Sequence, residues 1–577
     1  MNQSERIIVR FPAAQKSENL PVDLHPVLQR VYANRALISP HELERGLKGI
    51  PPVSSLGGVT QAADLLQQAL ARQARILVVA DFDADGATSC ALAVRALRAM
   101  GAFHVGYLVP NRFEYGYGLT PEIVAEALKR APDLLITVDN GISSLRGVAA
   151  AKAAGVSVLV TDHHLPGSAL PAADVIVNPN CADNPFPSKN LAGVGVIFYV
   201  LAALRARLRE QGWFGSQGIA EPNLADYLDL VALGTVADVV PLDHPNRILV
   251  HQGLQRIRAG HCCAGIRALI EVAGREYRRL VSSGLGFAVG PRLNAAGRLE
   301  DMSLGIECLL TNDPLMARDM AQQLDALNRE RRQIEQQMQQ QALALIEEAL
   351  PEGELPFGLC LYRDQWHQGV IGILAARIRE RLHRPVIAFA LAEEGVIKGS
   401  ARSIPGLHIR DTLDAVATSN PGLLEKFGGH AMAAGMSLRR EDLEAFSQAF
   451  DREVRRRIGV DDLQGRIHSD GALKEQEFSL ELAELLRGAG PWGQGFPEPL
   501  FDGEFRVVSR RIVGERHLKM MLEPAPGAAL LDAIAFNPPE PQLEDHNERI
   551  HAAYRLDINE FRGQRNLQLI IEYFSAV

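Results

Sequence analysis

ILVVA at 76–80, DFDADG at 81–86 and TSCALAVRALRAMG at 88–101 form the stretch from which the fold follows. A short β-branched run reads as a buried strand, and the acidic turn after it opens onto a helical pattern. The same alternation continues downstream. HVGYLVP (104–110) is a second strand, and Thr120-Pro121 is an N-cap followed by proline at the first helical position. LLITVD (134–139) is a third strand, a helix follows over 144–154, VSVLVTD (156–162) is a fourth strand and VIVNP (175–179) adds a fifth. Strands alternating with helices at this spacing predict an α/β domain with a parallel sheet and helices on both faces.

Three of these strands run straight into acidic or histidine residues. The first ends in Asp81, Asp83 and Asp85, the third in Asp139-Asn140-Gly141, the fourth in Asp162-His163-His164. In an open α/β sheet ligands bind outside the carboxyl ends of the strands, so these groups collect in one crevice. Crowded carboxylates repel, and burying them is costly unless cations neutralise them. Carboxylates with imidazole suit Mg2+ or Mn2+, the histidine favouring Mn2+. Two such ions about 4 Å apart stabilise both the attacking and the leaving oxygen of a phosphoryl displacement. The pattern points to a two-metal phosphoesterase. An EF-hand is disfavoured: with Asp81 as position one, Leu92 stands where the loop needs glutamate. A haloacid-dehalogenase scheme leaves Asp139 and the paired histidines without a role. No G-x-G-x-x-G follows the first strand, which excludes a dinucleotide-binding enzyme. Asp238, inside the apolar LVALGTVADVVPL (230–242), is either a turn cap or a further ligand.

The 577 residues suffice for several domains, and 47% hydrophobic with 22% charged residues is a globular composition. A net charge of −9 excludes a bulk polycation, so nucleic acid would need a local basic surface or bound metal. Six cysteines without a C-x-x-C pair argue against zinc knuckles and disulfides and fit a reducing cytosol. The beginning MNQSERIIVRFP lacks a signal-peptide core, and the longest apolar run, Leu191 to Leu204, is short of the ~20 residues a membrane helix needs. A soluble cytoplasmic protein without membrane contact is expected.

Beyond the first sheet, residues 254–298 are arginine-rich. Residues 314–350 hold no internal glycine or proline and read as one long connecting helix, with a coiled-coil seam as the alternative because Leu324, Leu327, Ile334, Met338 and Leu345 recur near heptad spacing. A second α/β segment follows, with FGLCLY (357–362), a helix near 370–381, PVIAFA (385–390) and VIKGSAR (396–402). Five short strands between 504 and 574 suggest a small barrel, an OB-fold first among candidates. Four clusters pair small residues with a cation or histidine: VPNRFEYGYG with Arg112, the Gly-punctuated loop GPRLNAAGR with Arg292, Asn294 and Arg298, KGSARS with Arg402, and FGGHAMAAG with His430. Together they suggest contacts to a phosphate chain. Arg506, Arg510, Arg511, Arg516 and Lys519 among the last strands, with Phe505, Phe536 or Tyr554, could track a nucleic acid, although for any one aromatic a place in the barrel core is the stronger expectation.

VADFDADG, VDNG and TDHH resemble the successive motifs of the DHH phosphoesterase superfamily. GTVADVVPL, GPRLNAAGR, WHQGVIGI (366–373), SARS and GGHAMAAG, in this order, resemble the bacterial RecJ exonuclease family within it, and the likeness runs from about Ile76 to the C-terminus. The resemblance implies a lead-in (1–70), a parallel-sheet DHH domain with a helical extension (71–312), a connecting helix (313–352), a smaller α/β DHHA1 domain (353–457) and an OB-fold β-barrel (458–577). It implies degradation of single-stranded DNA from the 5′ end to 5′-mononucleotides with Mn2+ or Mg2+, in recombination and repair, by a monomer acting beside single-strand-binding protein and a RecQ-type helicase. Carried over, Asp83 binds one metal and Asp85 the other, Asp139 bridges them, and His163 with Asp238 completes the second site. Asp81 replaces a histidine that relatives often carry where Val79 stands here. His164 falls behind the ligands or on the scissile phosphate, and Arg292, Arg402 and His430 are phosphate or DNA contacts.

Overall fold

A computed structural model describes residues 6–12, 20–37, 39–111, 118–349, 355–393, 395–514, 517–538, 549–561 and 563–577. The chain forms two compact units, one of residues 14–328 with 484–498, the other of 1–13, 329–483 and 499–577.

The first unit is built on a five-stranded, wholly parallel sheet. Its order is Val105–Leu108, Ile76–Ala80, Leu134–Val138, Ser157–Thr161, Val175–Val177. Every residue of Ile76–Ala80 and Leu134–Val138 is buried, the unbroken apolar pattern of strands covered on both faces. Leu77, Val79, Leu135, Val158 and Val160 pack with Ile123, Val124, Val148 and Ala151 of helices Pro121–Leu128 and Leu145–Ala153. Successive strand residues alternate faces, and the opposite face carries Ala84–Ala99 and Gly193–Glu210. The second strand lies outside the first and the third lies on its inner side, so the connection reverses between Ile76–Ala80 and Leu134–Val138. A ligand crevice opens at such a switch point. Residues 484–498 pack into this unit: Ser282 Oγ donates to Trp492 O (2.6 Å), Tyr32 OH to Ala489 O (3.0 Å) and Leu242 N to Gln494 O (2.7 Å).

GPRLNAAGR, expected as a loop, is the helix Gly290–Leu299, preceded by a π-helical turn over Leu285–Val289. Its glycines are close-approach positions rather than turn positions: a Cβ at Gly297 would stand 1.8 Å from Phe82 O.

Helix Pro314–Ala349 has 36 residues, and the division between units falls inside it, at Asn328/Arg329. In the second unit its Met338, Ala342 and Ile346 pack against Leu359, Leu361, Trp366 and Leu374. The polar break in the heptads is internal too: buried Arg331 pairs with Glu335, whose other oxygen takes Arg377 Nε at 3.0 Å. The apolar stripe thus has partners within the chain.

The second unit holds a mixed five-stranded sheet in the order Lys426–Gly429, Ala433–Arg439, Val396–Arg402, Val386–Glu393, Leu359–Tyr362. FGGHAMAAG is therefore a strand hairpin. Its glycines are paired across the hairpin, Gly428 with Gly435. The last five strands close a barrel in the order Phe501–Val513, His517–Glu523, Leu531–Ala535, Gln564–Ala576, Arg549–Phe561. Strand Arg6–Arg10 pairs in parallel with Gly465–Ser469. Among the described residues no helix is long and apolar enough to cross a membrane.

Asp502 pins this corner. It is buried, and it accepts from Arg10 Nη2 (2.7 Å), Arg10 Nε (2.9 Å) and Ser469 Oγ (2.6 Å), with His551 Nε2 at 3.1 Å. Burial alone would raise its pKa, but these bonds outweigh it and hold the carboxyl at about 2. An unfolded aspartate titrates near ~3.9, so the folded state favours the ion. That stability is present above about pH 4 and is lost as pH falls through the folded pKa. Asp502→Asn is expected to lower the unit's melting transition at pH 7 and to flatten its loss between pH 4 and 2. Thermal melts across pH check this.

Candidate active site

Four chain segments deliver the ligand-type side chains of the first unit. After the first strand, Asp81 is nine-tenths or more buried, and Asp83 caps the helix Ala84–Ala99, its Oδ1 accepting from Asp85 N (2.9 Å) and Gly86 N (3.0 Å). Asp85 is fully buried beneath the start of helix Gly193–Glu210, accepting from Gly193 N (2.6 Å) and Val194 N (2.9 Å). Gly193 is required there, because a Cβ would meet Asp139 Oδ1 at 2.7 Å.

After the third strand, Asp139 takes a left-handed backbone (φ 62°), a conformation that aspartate tolerates and that concentrates at functional sites. Asn140 ties this turn to the first strand by donating to Val79 O (3.2 Å) and back to its own strand by donating to Val138 O (2.9 Å). After the fourth strand, Asp162 Oδ1 accepts from His163 N (2.7 Å), His164 N (3.0 Å) and His164 Nδ1 (2.7 Å). It orients the His164 imidazole and pins the backbone of both histidines. Asp162 is not among the expected site residues, and its place directly ahead of two histidines is the signal in the sequence for this role. Asp238 ends helix Leu228–Ala237. It is both a helix cap and a member of the cluster.

These side chains fall into overlapping groups. Asp81, Asp83 and Asp139 offer ligand atoms within 4.8 Å of one another, as do Asp85, His163 and Asp238, and as do Asp139, His163 and His164. His163 Nε2 lies 3.1 Å from Asp139 Oδ1 and 3.6 Å from Asp238 Oδ2. The short contact lacks hydrogen-bond geometry, and Asp81 Oδ1, Asp139 Oδ1 and His163 Nε2 are all buried without a hydrogen bond. Orphaned buried polar atoms are rare in native proteins and call for an unseen partner. Here an imidazole nitrogen and carboxylate oxygens fit a pair of divalent cations.

The electrostatics agree. Burial, then the charges of Asp85, Asp83, Asp238 and Asp81, pushes Asp139 well above the carboxylate range. Burial also raises Asp81, and it lifts Asp85 and Asp238 to about 7, with neighbouring aspartates adding to each. Burial lowers His163, leaving the neutral imidazole that metal ligation needs. Burial opposes the charge on His164 as well, yet the bond to Asp162 and the nearby carboxylates win and raise it to about 9.

The other expected contacts are placed differently. Arg292 is buried, paired with Asp325 Oδ1 (2.8 Å) and donating to Ala288 O (2.5 Å), so it fixes the helix rather than facing solvent. Asn294 Oδ1 accepts from Ala84 N at 2.8 Å and so props the acidic turn. Arg298 is half-buried in the last turn of the same helix. Arg402 and His430 lie in the second unit. Arg402 is held by Ser400 Oγ (3.0 Å) and Ala401 O (2.8 Å), and His430 is exposed at the hairpin tip. Arg112 and Arg516 lie outside the described residues. In the barrel, Phe505 and Tyr554 are core, whereas Phe536 is 55% exposed and packs edge-on against His517.

Comparison with known proteins gives three family matches in chain order. The DHH family, N-terminal domain, covers residues 75–235, the DHHA1 domain 356–456 and the RecJ OB domain 469–573. The chain is 58% identical over 566 residues to the single-stranded-DNA-specific exonuclease RecJ of Dickeya dadantii, spanning 98% of each protein. It is 56% identical over 570 residues to that of Escherichia coli, spanning 98% of this chain and 99% of the relative. The crystal structure of RecJ in complex with Mn2+ from Thermus thermophilus superimposes with a TM-score of 0.79 at 30% identity, covering 98% of this chain and 79% of the other.

Proposed function

The chain belongs to the RecJ family, and from that premise we propose that it is an exonuclease whose acid–histidine pocket removes mononucleotides from the 5′ end of single-stranded DNA with two divalent cations, Mn2+ or Mg2+. The observation that carries the reading is the convergence of buried, unbonded ligand atoms from separate strand ends. Asp81, Asp83 and Asp139 would hold one cation, and Asp85, His163 and Asp238 the other, with Asp139 shared between them. When bound, the pair neutralises the crowded acids, makes water acidic near neutral pH and supplies Lewis acidity toward the departing 3′-oxygen.

The protein's own groups do the rest. Asp162 fixes the His164 ring through Nδ1 and holds the His163 backbone N–H, and His164 is set against the scissile phosphate as a cationic donor. The backbone N–H groups of Gly193 and Val194 hold Asp85 in place, and Asn294 does the same for the turn between Asp83 and Asp85. Preorganised ligands cost no rearrangement during the reaction. Arg402, His430 and Arg298 are assigned to the DNA backbone, on the resemblance to the family. On the same ground the enzyme acts as a cytoplasmic monomer in recombination and repair, beside single-strand-binding protein and a RecQ-type helicase.

The test is degradation of 5′- and 3′-labelled single strands and of duplex, with Mn2+, Mg2+ or chelator. Mononucleotides from the 5′ end of single strands, abolished by chelator, are expected. Full activity in chelator would overturn the metal reading, and a preference for two-nucleotide substrates would replace DNA by small oligonucleotides.

A further inference from the structure

The π-helical turn Leu285–Val289 presents one large residue to solvent. Leu285, Ala288 and Val289 are buried, while Phe287 is 80% exposed. The core therefore does not use the ring. Lone exposed apolar residues are common, but this one has an unusual setting. The glycines around it press the segment against the end of the helix that carries Asp238: a Cβ at Gly286 would lie 3.2 Å from Val236 Cγ1, and one at Gly290 3.1 Å from Ala237 Cβ. On that facing segment, next to Asp238, Val239 is 61% exposed in a left-handed conformation (φ 66°), where a β-branched residue is strained. Both π-turns and strained residues concentrate at functional sites. The helix continuing from the π-turn packs on the acidic turn through Asn294 and Gly297. One continuous helical element thus packs against the helix end beside Asp238 and against the turn of Asp81–Asp85, and carries an exposed phenyl ring.

We infer that Phe287, with Val239 on the facing segment, is the stacking surface for a nucleobase of the strand entering the acid–histidine pocket. Unlike the backbone contacts, this surface grips a base face, which single-stranded DNA offers and which base stacking in a duplex covers. The inference rests on the exonuclease reading.

The experiment compares hydrolysis of normal single strands with strands carrying abasic residues at the first two 5′ positions, in Mn2+. Stacking on one ring is expected to change KM by about tenfold, the equivalent of about 1.4 kcal/mol. Wild type should lose this factor on the abasic strand with little change in kcat. Phe287→Ala should lose it on the normal strand and lose nothing further on the abasic one. Phe287→Trp should keep it. Phe287→Leu, which retains apolar bulk without a ring, should behave as alanine does and serves if the alanine variant fails to fold. The same normal-to-abasic ratio in Phe287→Ala and wild type would overturn the inference. No hydrolysis of single strands by wild type would instead remove the exonuclease reading beneath it.

Discussion

Asp139→Asn is expected to reduce nuclease turnover by at least about 1,000-fold while raising the melting temperature of the metal-free protein. The two effects have one cause. Asp139 belongs to the group with Asp81 and Asp83 and to the group with His163 and His164, so it is the carboxylate common to both halves of the pocket. Asparagine keeps the shape and tolerates the left-handed backbone at φ 62°, so the turn is retained and a negative ligand is lost. Without cations, the wild-type pocket buries Asp81, Asp85 and Asp139 beside Asp238 with too few counter-charges. Asparagine is neutral without taking up a proton, so the variant is spared the cost of neutralising a buried carboxyl there, and each kcal/mol recovered shifts the midpoint by about 2–4 °C. Added Mn2+ should then reverse the order. Ligand at 100 times its Kd stabilises wild type by about 2.7 kcal/mol, and the variant gains less. Melts in chelator and in Mn2+, beside turnover on a labelled single strand, measure both effects. A variant within tenfold of wild-type turnover, or one with an undiminished Mn2+ shift, would remove Asp139 from the centre.

The first sheet and its acids were readable because strand period and strand-end chemistry are local properties. ILVVA, LLITV and VSVLVT announce buried parallel strands, and Asp81, Asp139 and His163 follow them directly. Asp238 stayed ambiguous because its partner His163 is distant in sequence, and no spacing rule links a helix end to a strand end. GPRLNAAGR was misread for a different reason. Two glycines, a proline and two arginines look like a phosphate loop, yet the proline stands at a helix start and the glycines are places of close approach, Gly290 to Ala237 and Gly297 to the Phe82 backbone. Likewise Arg292 finds Asp325 within the same unit, a partner invisible to any local pattern. FGGHAMAAG hid two strands because glycine is a poor strand former on its own and was placed here by cross-strand pairing.

Gly297→Ala carries the second large effect, and its sign runs against helix propensity. On an isolated helix the change would stabilise by up to about 1 kcal/mol. In helix Gly290–Leu299 the new Cβ would fall 1.8 Å from Phe82 O and 3.0 Å from Phe82 C, and backbone cannot swing aside as a side chain can. Phe82 stands between Asp81 and Asp83, so relief must come from moving the acidic turn or tilting the helix. Overpacking of this kind costs about 1–3 kcal/mol. Either movement also disturbs the bond from Ala84 N to Asn294 Oδ1, which sets the turn's height. A displacement of about 1 Å in positioned groups costs on the order of 100-fold in rate. Gly297→Ala should therefore unfold earlier in urea and lose about 100-fold in kcat. Gly215→Ala supplies the contrast: that glycine is also helical, but its Cβ position is open, so wild-type turnover and equal or greater stability are expected. Wild-type kcat in Gly297→Ala would mean that the acidic turn is not held at its working position by this helix.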